Sequence, residues 1–92
     1  MKPINDNTWA AHAKIVGGAL SLADGLQVWN NRPLNRVPAI RYALDKLPSF
    51  AARALEARTW KERITARSAL VLLIDEAIET RQGIERDRGL IP

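Results

Sequence analysis

Apolar residues along this chain recur at intervals of three and four, the period of one helix face, and strand-like alternation is nearly absent. Four stretches carry the pattern. In the first, Trp9, Ala13, Ile15, Val16, Ala19, Leu20, Leu22, Ala23 and Leu26 share one broad face when placed at ~100° per residue. Lys14, Gly17, Gly18, Ser21, Asp24 and Gly25 occupy the opposite side. The Asn5-Asp6-Asn7 cluster offers side-chain oxygens to the free amides of a helix start. The first helix is therefore expected to begin after that cluster and to run past Asp24-Gly25 to Trp29. A glycine inside a helix costs roughly 1 kcal/mol relative to alanine. Gly17-Gly18 thus implies either a bend or the close approach of a neighbouring backbone.

Asn30-Asn31-Arg32-Pro33 reads as a loop. Pro38 suits the first turn of a second helix, over residues 39–47, with Ile40, Ala43, Leu44 and Leu47 on one face. Pro48 is expected to stop that helix, and Ser49 to cap a third over residues 50–57. Thr59-Trp60-Lys61-Glu62 has the spacing of a capping box and opens the strongest helix signal. Its stripe is Trp60, Ile64, Val71, Ile74 and Ile78, widened by Leu70, Leu73 and Ala77. Gly83 is a natural terminator, with residues 85–88 able to carry one more turn, and the apolar tail at residues 89–92 is expected to dock.

These elements specify an all-α fold: one helical domain over residues 1–92, built as a small irregular bundle of about four helices (long, short, short, long). The expected core is Trp9, Val16, Leu20, Ala23, Ile40, Leu44, Leu47, Leu55, Trp60, Ile64, Val71, Leu73, Ile74 and Ile78. A chain of this length buries only about 60–65% of its unfolded surface, so a partner or a second copy would add to its stability. There is no cysteine, hence no disulfide and no thiolate metal site. The longest purely apolar run, residues 69–74, is far short of the roughly 20 residues that span a bilayer. The N-terminus lacks a signal-peptide pattern, and the expected location is cytoplasmic, without membrane attachment.

Charge changes the picture more than composition does. Between Arg32 and Arg67 nine basic residues stand against Asp45, Glu56 and Glu62 alone. The first 31 residues are neutral and the last 25 carry a net charge of −2. Such a division steers an acidic partner toward one surface.

The inventory of catalytic parts is thin. His12, the single histidine, lies between Trp9 and Val16 on the apolar face, where a half-buried core residue with one satisfied nitrogen is expected rather than a catalyst. No serine or threonine sits in a nucleophile motif. Asp75 and Glu79 share a helix face beside Glu76, but carboxylate metal sites on helices draw further ligands from facing helices, and a solvated acidic face is expected instead. Gly17-Gly18 follows no strand and lacks phosphate-loop spacing. No cofactor is expected.

Arg67 interrupts the apolar stripe of the last helix. Its stem is expected to pack on the core with the head reaching solvent or an acid; the functional reading is an anchor at the centre of an interface. Two like-charge pairs, Arg63 with Arg67 and Asp75 with Glu79, need opposite charges elsewhere. Leu72 projects away from the stripe, and with Trp29 it is a candidate exposed apolar contact. The function read from the sequence is a non-catalytic adaptor, inhibitor or regulatory subunit that binds a larger protein or nucleoprotein. Arg53, Arg58, Lys61, Arg63 and Arg67 form its charged surface, with Leu72 and Trp29 as anchors. The alternative is a nucleic-acid-binding regulator using residues 32–67, and self-association is compatible with either.

Overall fold

A computed structural model describes residues 8–89. It contains three helices, α1 (Trp9–Asn30), α2 (Pro38–Glu56) and α3 (Trp60–Asp87), with a short 3-10 turn at Pro33–Asn35 and no strand among the described residues. Near the start of α1, the ring of His12 lies 5.3 Å from that of Trp60, at the start of α3. His12 also reaches the carbonyl of Ala54, near the end of α2. At the far end, Asn30 bonds the amide of Val37, and Arg81 lies over Trp29. The chain therefore runs up, down and up, with α1 parallel to α3 and α2 antiparallel to both.

Local chemistry sets the boundaries. The Thr8 hydroxyl accepts the Ala11 amide at 3.2 Å, satisfying one of the free donors at the start of α1. The Asn5-Asp6-Asn7 cluster and the apolar tail beyond Gly89 lie outside the described residues. α1 passes unbroken through both glycine sites to Asn30, and nothing stands within 4 Å of where a Cβ would project at Gly17 or Gly18. No close backbone accounts for them. The Thr59 hydroxyl accepts the Glu62 amide at 3.1 Å, as the capping-box spacing requires. α3 runs through Gly83 and ends before Gly89, whose φ of +73° is the left-handed turn that glycine adopts without steric cost.

Where four helices were expected there are three. Pro48 lies inside α2, and Ser49 caps nothing. Proline removes one amide-to-carbonyl bond, here to Leu44, and its ring crowds that carbonyl. Against this stands a single apolar stripe that stays in phase across the proline. Ile40, Ala43 and Ala54 are buried, while Leu44, Leu47 and Phe50 pack against the core. Burying such side chains contributes roughly 1.5–3 kcal/mol each, which outweighs one lost bond. Continuity also sets the phase. Ala54 turns fully inward, and Leu55, expected in the core, is rotated about 100° outward and is 40% exposed.

Replacing Pro48 by alanine restores the amide at an exposed position. It is expected to raise stability by about 1–3 kcal/mol, seen as a higher urea midpoint. A lower midpoint would mean that α2 needs the proline.

The core lies where the three helices meet. Val16, Ala23, Leu26, Ile40, Ala54, Leu70 and Ile74 are each no more than 2% exposed. α2 and α3 share the most extensive contact, and α1 packs less extensively on each. Trp9, also expected in the core, lies at its edge and is 51% exposed, flanked by His12, Trp60 and the Arg63 guanidinium. Among the described residues no helix is long and apolar enough to cross a membrane.

Candidate partner-binding groove

The seven residues expected to form one contact surface part company in the fold. Arg63 points inward. Its Nε donates to the Ala57 carbonyl at 2.6 Å and its guanidinium lies 5.0 Å from the centre of the Trp9 ring. It places a positive charge at the C-terminal end of α2, where the helix dipole favours one, and it joins the two hairpin helices to α1. Arg67 is buried at 9% exposure, its stem within the core stripe; it lines a shallow hollow on α3 with Ser68, Val71, Leu72 and Asp75. Trp29 is not a surface anchor. It is 6% exposed, a member of the buried core, and Arg81, held by Glu85 at 2.8 Å, lies over its ring. Leu72 is 58% exposed on the α3 surface, as the helical phase requires.

Arg53, Arg58 and Lys61 remain on the surface. Two of them meet. The end of α2 contributes Phe50, Arg53 and Ala57 to a groove of about 480 Å³. The start of α3 contributes Lys61, Glu62, Thr65, Ala66 and Ala69. The groove exists because its walls carry alanines where larger residues would close the gap between two packed helices. Phe50 and the alanine methyls make its lining mainly apolar, and Arg53 and Lys61 stand on opposite walls. Neither basic group has an ion pair among the described residues; the two ion pairs there are Arg41 with Asp45 and Arg81 with Glu85. Arg58 lies in the link between the two helices, outside the groove lining.

A larger hollow, of about 700 Å³, opens between the end of α1 and the start of α2 and includes Arg36 and Arg41. Two of its polar side chains are engaged, while Arg36 and Asn31 have no side-chain partner among the described residues. Arg41 pairs with Asp45 at 3.3 Å, and the Asn30 carboxamide oxygen accepts the Val37 amide at 2.8 Å. Arg88 donates to Asn35 and to the Leu34 carbonyl, tying the end of α3 to the neighbouring turn. The loop beside this hollow is braced by these bonds, while Arg36 stays exposed on the hollow's rim.

His12 is fully buried, with Nε2 held 2.7 Å from the Ala54 carbonyl, so the ring carries its proton there and donates it. No substrate reaches it in this conformation. No group of three or more metal-ligating side chains is assembled among the described residues.

The charged rim was legible in the sequence, but its apolar floor was not. Phe50, Arg53 and Ala57 follow one another at spacings of three and four, as do Glu62, Ala66 and Ala69. Once α2 is known to be continuous and antiparallel to α3, those spacings place both sets on one face. Without that, alanines among arginines look like ordinary helical surface. No protein-family model, curated protein or solved structure matches the chain.

Proposed function

We propose that this chain is a non-catalytic interaction protein that binds a protein partner in the groove between α2 and α3. The supporting observation is the pairing of an apolar floor at Phe50, Ala57, Ala66 and Ala69 with Arg53 and Lys61, cations that have no ion pair among the described residues. Apolar floor with a charged rim is the anatomy of a protein interface, in which the floor supplies most of the affinity and the rim steers. A phosphate-binding surface would instead gather its cations. Here the nine basic residues of the middle segment are dispersed: Arg63 and Arg67 turn inward, and Arg41 is paired with Asp45.

A photo-crosslinking side chain at Thr65, inside the groove, tests this. The expected result is a discrete protein adduct in cells, abolished when Ala66→Trp fills the groove and retained with Leu22→Asp at an exposed position on α1 outside the groove lining. An adduct indifferent to groove filling would remove the groove from consideration. In parallel, duplex and single-stranded DNA and RNA are titrated over a range of salt. Binding that weakens steeply with salt, and evenly on loss of Arg53, Arg58 or Lys61, would favour the nucleic-acid alternative.

A further inference from the structure

We infer that the occupant of the α2–α3 groove is a short amphipathic helix whose apolar ridge is flanked on both sides by carboxylates; this rests on reading the groove as the docking site. Three observations lead there. The first is backbone chemistry. Both walls are helices, which offer no open sheet edge; their mid-helix groups bond internally, and His12, Thr59 and Arg63 take up several of the free groups at their facing ends. An extended peptide binds chiefly by adding its own main chain to an open sheet edge, and these walls offer none. A chain that lies here gains no main-chain ladder from the walls, and a helix satisfies its own backbone without one.

The second is length. From Phe50 to Ala57, and from Lys61 to Ala69, each wall runs about 10–12 Å at a rise of ~1.5 Å per residue. That is about two turns, the distance over which a docking helix presents apolar side chains at i, i+3 or i+4, and i+7. The alanine methyls of the walls leave room for branched aliphatic side chains between them.

The third is charge. Arg53 projects from the α2 wall and Lys61 from the α3 wall, so a helix lying between them meets one cation on each side. Glu62 is the one acid on the lining, and its place on α3 marks where a carboxylate of the occupant would be repelled. Two bases against one acid leave the rim positive. A ridge flanked by Asp or Glu is complementary to it, and a ridge flanked by Lys is not.

The test is a displayed library of helical peptides with fixed aliphatic residues at i, i+3 and i+7 and randomised flanking positions. It is selected on the intact chain and counter-selected on the Ala66→Trp variant. Peptides recovered on the wild-type chain are expected to be enriched in Asp and Glu on both flanks. Their affinity is expected to fall at least ten-fold on the doubly reversed Arg53→Glu, Lys61→Glu chain, with circular dichroism showing that this variant is folded. Neutral or basic flanks, affinity indifferent to the double reversal, or no recovered peptide at all would each overturn the inference. The broader reading fails separately. If the Thr65 crosslinker still captures a protein in a groove-dependent way, the site stands and only its acidic-helix occupant falls.

Discussion

Replacing His12 by alanine is expected to lower folding stability by about 3–6 kcal/mol, read from urea denaturation followed by circular dichroism. Two losses combine. The last carbonyls of a helix have no partner within it, and the Ala54 carbonyl is one of these; the His12 ring supplies its donor at 2.7 Å. Stranding it costs roughly 1–3 kcal/mol. The ring also fills space beside Trp60 at zero exposure, and emptying that space costs roughly 2–3 kcal/mol more. Such a loss is a large fraction of the roughly 5–14 kcal/mol that a domain of this length has in total. His12→Leu separates the two. Leucine keeps most of the volume, removes the donor, and also removes Nδ1, a buried nitrogen with no partner among the described residues. Its expected cost is about 1–2 kcal/mol. A leucine variant as stable as the parent would show that the Ala54 carbonyl does not depend on His12.

Leu70→Ala is expected to cost about 2–5 kcal/mol, whereas Leu72→Ala should fall within about 0.5 kcal/mol of the parent. The two leucines are two residues apart on α3, yet one is fully buried and the other 58% exposed. Leu70 lies at the centre of the three-helix contact with Ile74, where truncation leaves a cavity that rigid neighbours close only in part. Leu72 points about 200° away around the helix. Equal costs at the two positions would contradict the rotational setting of α3. A large cost at Leu72 alone would mean that its face is covered in solution.

The features legible in the sequence were those that local rules determine. The T-x-x-E spacing marked the start of α3, the 4-then-3 pattern marked its buried side, and the position of His12 on an apolar face marked a residue with one satisfied nitrogen. The fourth helix is absent because the apolar stripe on either side of Pro48 is in phase and a neighbouring helix buries it, which outweighs the local tendency of proline to stop a helix. The same continuity turns Leu55 outward. Trp29, compatible by sequence with either a core place or an exposed contact, is buried in the core with Arg81, 52 residues away, over its ring, and no periodicity announces an arginine laid across a ring. Of the proposed charged surface, Arg53 and Lys61 meet on the groove, Arg58 stays outside its lining, and Arg63 and Arg67 turn inward. The residues that open the groove are alanines, which carry no chemistry of their own and acquire meaning only from what stands opposite.

Every residue of the groove lining comes from α2, from α3 or, in Ala57, from the link between them. α1 stands on the other side of that hairpin, joined to it less extensively and fastened near its two ends by His12 and Asn30. α1 nonetheless supplies five of the eleven buried apolar residues among the described residues, Val16, Ala19, Ala23, Leu26 and Trp29, so it cannot leave without emptying the shared core. A ligand held between α2 and α3 would therefore slow amide exchange in all three helices, although it touches only two.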